Sequence, residues 1–223
     1  MYIEPCCAER QLGHLLREER GHVVAFQTNG DVTLEHWMKA VMLMSGDRPR
    51  TLTLSVPVFT DTMMRVVGRF MRQDWVKTLR LMTTEALAPE NLQKLSGYVG
   101  CDTTALAERL ELAADARMAG GMMSFSGPEG TVIIQGVIYD IVTPGLTLYA
   151  GLFGRTDGAG VRSIMDTWNA NFKARRYENF RHLEMSKSRN IDQRDVEMSK
   201  SRNIEPSKSR KTKKTKKNDT KSI

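Results

Sequence analysis

The sequence predicts an α/β domain, a single mixed sheet with helices on its faces, carrying a disordered C-terminal tail. Three features predict it. Apolar runs of strand period alternate with helix-period stripes from residue 22 to about residue 100; short strands and one closing helix follow; from residue 184 the patterning gives way to a basic repeat. The boundaries that result are 1–183 for one α/β domain and 184–223 for the tail. Without the tail, the chain has the length of one ordinary domain with its own core.

His22 to Gln27 reads as a short apolar strand closed by the turn sequence Asn29-Gly30-Asp31. Behind Asp31 or Thr33 as cap, Leu34, Trp37, Met38, Val41 and Met42 recur at helical spacing until Ser45-Gly46-Asp47. Thr51 to Phe59 is a second strand, in which Pro57 marks an edge or a strand end. Thr60 or Asp61 then caps a helix with an apolar stripe of Met63, Met64, Val67, Phe70 and Met71. Its other face carries Arg65, Arg69 and Arg72. Val76 to Met82 is a third strand, and Pro89 opens a helix with Leu92, Leu95 and Tyr98 that Gly97 and Gly100 terminate. Such alternation predicts parallel strands joined by right-handed crossovers.

The rhythm then changes. Leu110 to Ala114, Met122 to Ser126, Thr131 to Gln135 and Leu146 to Tyr149 read as short strands, with Gly127-Pro128-Glu129-Gly130 a tight turn between two of them. A closing helix from about Gly160 carries Val161, Ile164, Met165, Trp168 and Phe172. It ends in Lys173, Arg175 and Arg176, where cations suit the helix dipole. The ordered domain is expected to stop near Tyr177 to His182.

In the tail, Glu-Met-Ser-Lys-Ser-Arg-Asn-Ile at 184–191 returns unchanged at 197–204, and Ser207-Lys208-Ser209-Arg210 starts a third copy that runs into a lysine-rich end. Such a segment has too little apolar surface to build a core. The whole chain holds 33 Lys+Arg and 26 Asp+Glu; residues 184–223 hold 13 and 6 of these, which leaves the first 183 residues with 20 of each sign. All of the excess positive charge therefore sits in the tail. A basic, low-complexity segment on a neutral body points to a polyanionic partner. The residues expected to touch nucleic-acid phosphates, without sequence preference, are Lys187, Arg189, Lys200, Arg202, Lys208, Arg210, Lys211, Lys213, Lys214, Lys216 and Lys217.

No apolar run approaches the roughly 18 residues that span a bilayer, so no membrane association is expected. The first 20 residues lack the basic-then-apolar order of a secretory signal. A cytoplasmic location follows, with Cys6, Cys7 and Cys101 as reduced thiols. No zinc spacing, P-loop or dinucleotide fingerprint is present, and neither metal nor cofactor is expected.

The layout of alternating strands and helices, a strand pair joined by a tight turn, one more strand and a closing helix resembles one half of the phospholipase D-like fold, over roughly residues 20 to 175. That family's active half carries a His-x-Lys motif at the strand pair. Here the stretch is Ala116-Arg117-Met118-Ala119-Gly120-Gly121-Met122-Met123-Ser124-Phe125, and neither His nor Lys occurs from 110 to 172. The resemblance implies a half-domain whose histidine nucleophile is missing, so the phosphodiesterase chemistry falls on no residue here. Met185-Ser186-Lys187-Ser188-Arg189-Asn190 resembles the lysine-serine loop of class I aminoacyl-tRNA synthetases. It lacks that loop's first lysine and any His-x-Gly-His partner upstream.

Ser124 and Ser126 have no histidine near them in sequence; His14, His22, His36 and His182 read as structural; Asp61, Asp115, Asp140 and Asp157 lie at element ends, where caps and turns use Asp. Arg65, Arg69 and Arg72, and the cations beside Trp168, Phe172 and Tyr177, read as solvated helix faces, with an extension of the phosphate track as the alternative. The expected function is that of a non-enzymatic, nucleic-acid-associated accessory protein acting through the tail. Two alternatives stand beside it: a catalytically degenerate phospholipase D-like domain, and an oligomerisation or interaction module.

Overall fold

A computed structural model describes residues 8–18, 21–28, 32–44, 51–118, 121–128, 130–141, 147–155 and 158–177. The chain divides into two units, Met1–Arg181 and His182–Ile223, and the described residues all belong to the first. They form, in order, α1 (Ala8–Glu18), β1 (Val23–Thr28), α2 (Leu34–Met44), β2 (Thr51–Ser55), α3 (Asp61–Arg72), β3 (Thr78–Thr83), α4 (Pro89–Val99) and α5 (Thr103–Ala107). There follow β4 (Leu110–Ala114), β5 (Gly121–Gly127), β6 (Gly130–Gly136), β7 (Thr147–Gly154), α6 (Ala159–Arg175) and β8 (Arg176–Tyr177). No helix among the described residues is long and apolar enough to cross a membrane.

The strands form one mixed sheet in the order β1-β7-β6-β5-β2-β3-β4-β8. Among the described strands only β2, β3 and β4 pair in parallel with a neighbour. The expectation of a parallel first strand is corrected by β1, which sits at the sheet's end and pairs antiparallel with β7, Val23 opposite Leu152. A strand read locally carries no information about its distant neighbour. Pro57 marks a strand end rather than an edge, because β2 stops at Ser55 and lies between β5 and β3 in the interior. Past it, Val56 N–H still reaches Met82 O at 3.0 Å and Thr84 N–H reaches Pro57 O at 3.1 Å.

Register sorts the side chains into two faces. Leu52 and Leu54 align with Leu79 and Leu81, these with Leu110 and Leu112, and across β5 with Phe125 and Met123. This row is buried. Both parallel crossovers step the same way along the sheet, so the handedness rule places α3 and α4 on one face. The opposite face carries Met82, Ala113, Met122, Ile133 and Leu152, which pack with Val161, Trp168 and Phe172 of α6. Trp168 stacks on Phe172 with centroids 4.7 Å apart.

Most helix bounds follow local signals. Thr60 caps α3, its hydroxyl accepting Met63 N–H at 3.2 Å, and Gly100 ends α4 in the left-handed region at φ 80°. Gly97, expected to help terminate α4, lies inside it. The stripe Met63, Met64, Val67, Phe70 and Met71 is buried as its spacing predicts, and Met38, Met122 and Met123 are buried elsewhere in the domain.

Three elements have no counterpart in the local reading. α1 was hidden among the charges of residues 9–18, yet Leu12 is fully buried and Gly13 lies so near α2 that an added Cβ would stand 3.2 Å from Ala40 O. α5 is five residues long with Asp102 as cap. β8 has two residues and is a strand by its pairing with β4. β7 also runs well past Tyr149, to Gly154. Gly154 allows close packing there: a Cβ on it would sit 3.0 Å from Val161 Cγ2.

Candidate functional site

Because β5 pairs antiparallel with β2, Met122 opposite Ser55, the start of β5 lies at the carboxyl end of β2. The segment leaving β4 must pass the ends of β3 and β2 to reach it. In open α/β sheets, ligands sit outside the carboxyl ends of parallel strands, where chain connections diverge. A crevice of about 600 Å³ opens at that place. Met82, Met118 and Met122 line it with Trp168, and Arg117, Asn171 and Gln135 bring polar groups to it.

The segment after β4 is fixed by its own hydrogen bonds. Asp115 N–H donates to Thr83 O at 2.9 Å, and Met118 N–H returns to Asp115 O at 3.0 Å. The Asp115 carboxylate accepts Arg117 N–H at 3.1 Å and Arg117 Nε at 3.4 Å, while its other oxygen takes Arg175 Nε at 2.7 Å. The Arg117 backbone N–H, and then the Arg175 and Arg117 guanidiniums, hold the Asp115 carboxyl below its ordinary value against the opposing effect of burial. Arg175 also donates to Asn171 O at 3.2 Å. It was expected to serve the dipole of α6; it does so, and it ties the helix to the end of β4. Arg117, in contrast, keeps a side chain 78% exposed.

Beneath the crevice lies a second network. Trp168 Nε1 donates to Ser55 Oγ at 2.8 Å in the interior. The Arg80 guanidinium lies 4.8 Å from both the Trp168 and Phe172 ring centroids and donates to Glu111 Oε2 at 3.2 Å and Asn169 Oδ1 at 2.7 Å. Trp168 and Phe172 are therefore buried rings packed within the domain. Tyr177 likewise uses its hydroxyl to accept Leu87 N–H at 2.9 Å, and burial raises the phenol's pKa.

Arg65, Arg69 and Arg72 do come together. With Glu35, Thr62 and Tyr98 they line a groove of about 460 Å³. Each also has a neighbour: Arg69 meets Glu35 at 2.8 Å, Arg65 meets Asp61 at 3.8 Å and Arg72 donates to Gly97 O at 3.2 Å. Burial raises the Glu35 pKa, but hydrogen bonds from Lys39 and Arg69 outweigh it and lower the net value.

The other residues singled out in the sequence occupy structural positions. Ser126 Oγ lies 3.1 Å from Thr131 Oγ1, and Ser124 is fully buried with its Oγ unpartnered. His36 Nδ1 accepts Thr33 N–H at 3.0 Å at the start of α2, in the manner of a capping box. His14 and His22 are exposed. Asp61 begins α3 and accepts Tyr98 OH at 3.1 Å; Asp140 accepts Thr60 Oγ1 at 2.7 Å. Cys101 is a half-buried free thiol. Among the described residues, no three His, Cys, Asp or Glu gather as metal ligands. The tail cations, Cys6, Cys7, Asp157 and His182 lie outside the described residues.

The crevice leaves no local pattern in the sequence because its parts are far apart: Ser55, Asp115, Gln135 and Asn171 come from four separate stretches of the chain. The one local signal was an Asp just past a strand's carboxyl end. No family model matches the chain, and no curated protein matches it as a relative.

Proposed function

We propose that the protein is a nucleic-acid-associated accessory protein of the cytoplasm, whose tail from 184 to 223 binds phosphate backbones without sequence preference. One observation carries this role: all of the chain's +7 net charge falls within the tail, beside a body with equal numbers of acidic and basic residues. Lys187, Arg189, Lys200, Arg202, Lys208, Arg210 and the lysines from Lys211 to Lys217 repeat along a segment with few large apolar residues. Their binding energy would come from counterion release, so log K should fall with log salt at a slope of about −0.9 per phosphate neutralised on duplex DNA and about −0.7 on single strands.

Fluorescence anisotropy of labelled single- and double-stranded oligonucleotides, at two salt concentrations, tests this with the full-length protein and a 1–183 truncation. Binding that disappears with the tail is the expected result. Equal binding by the truncation refutes the role of the tail, and binding by neither refutes the nucleic-acid reading.

A second reading is a degenerate phospholipase D-like half-domain. The order β4, the tight β5–β6 pair, β7 and α6 supports it, as does the crevice at the strand ends. In that reading the crevice holds a phosphate-bearing group without a histidine nucleophile to attack it.

A further inference from the structure

We infer that the crevice over the carboxyl ends of β2, β3 and β4 binds a small organic anion, a phosphate or carboxylate carried on an apolar body. Arg117 takes the charged end, and Met82, Met118 and Met122 form the floor beneath the body. Every residue that lines this site precedes the tail in the sequence.

The charge balance gives the sign of the ligand. Among the described residues that line the crevice Asp115 is the one carboxylate, set against Arg117 and Arg175. Arg175 approaches it at 2.7 Å, and the second oxygen is shared between Arg117 N–H and Arg117 Nε. One carboxylate does not neutralise two guanidiniums, so the site keeps a surplus positive charge. A divalent cation would meet that surplus, with a single acid to hold it. An anion meets a planar fork whose Nε lies 3.4 Å from Asp115 Oδ1, leaving the terminal nitrogens for a bidentate contact with carboxylate or phosphate.

Size and lining define the rest. A volume of about 600 Å³ lies within the roughly 300–1,000 Å³ of small-molecule pockets. It exceeds what inorganic phosphate needs. The thioether floor accepts flat or irregular apolar groups because methionine repacks readily, and the Asn171 and Gln135 amides offer donors and acceptors at the rim.

The test uses full-length protein and isothermal titration at low salt with 1-naphthyl phosphate, 1-naphthoate and neutral 1-naphthol. Saturable one-site binding of an anionic probe is expected, at least about tenfold tighter than naphthol, which corresponds to about 1.4 kcal/mol. The tighter of the two anions assigns the ligand as phosphoryl or carboxylate. Arg117→Ala removes the fork and Gln135→Glu adds a negative charge at an exposed strand position; each should weaken the anion about tenfold while the tail stays intact. Circular dichroism of both variants should match the parent, since neither side chain is buried. Naphthol binding as tightly as the anions, affinity unchanged in both variants, or no binding of any probe would each overturn the inference. Failure of the tail to bind oligonucleotides would leave it standing.

Discussion

Replacing Gly68 by Ala places one carbon where α3 and α4 touch. In an isolated helix the change is favourable by about 1 kcal/mol. Here the new Cβ would lie 2.5 Å from Tyr98 Cβ, 3.1 Å from Tyr98 C and 3.3 Å from Val99 N. Carbon atoms attract best at about 3.5–4.0 Å, so the two helices must part by about 1 Å. These neighbours are backbone and Cβ, which no rotamer change can move. Nor is α4 free to slide, because Leu92 and Leu95 are fully buried and Val99 nearly so. Overpacking of this kind costs about 1–3 kcal/mol, and the propensity gain offsets part of it. We expect a net loss of about 1–2 kcal/mol, a fall of about 2–8 °C in Tm for a domain of this size. Gly97→Ala on the facing helix is the matched control. Nothing lies within 4 Å of its Cβ position, so the same substitution should stabilise by up to about 1 kcal/mol. Urea unfolding of both variants, followed by far-UV circular dichroism, measures the difference. If Gly68→Ala is as stable as the parent, or both variants shift the same way, the close approach of α3 and α4 is wrong.

Three further outcomes are expected. Ser124→Ala should leave stability unchanged or raise it by up to about 1 kcal/mol in urea unfolding, since it removes a buried hydroxyl that has no partner. Asp115→Asn should flatten the acid limb of stability: a carboxyl held below its ordinary value in the fold stabilises above its unfolded pKa and loses that effect as pH falls through the folded one. A pH series of thermal midpoints that is unchanged by the substitution contradicts the Arg117 and Arg175 contacts. Arg80→Met should destabilise by about 1–3 kcal/mol, because the thioether replaces the packing on Trp168 and Phe172 but leaves Glu111 and Asn169 without their donor. Equal stability in urea would show that network to be energetically idle.

The legible features were those whose cause lies within about one helical turn. The α3 stripe from Met63 to Met71, the Thr60 cap, the Gly100 stop and the β5–β6 hairpin each follow from spacing and turn chemistry at a single place in the chain. α1 was obscured because Leu12 and its neighbours sit among Glu9, Arg10 and Arg17, where charge hides the period. β8 could not be seen, since two residues have no pattern and exist as a strand only against β4.

The sequence by itself determined the alternation of elements, the buried stripes and the placing of all excess charge beyond residue 183, because hydrophobic period and composition are local properties. Tertiary structure alone decided that β1 joins β7, that β5 inserts beside β2, and that Asp115 meets Arg175 under Arg117. Each is a pairing across a long stretch of chain, fixed by which register buries the most apolar surface and leaves the fewest polar groups unpaired.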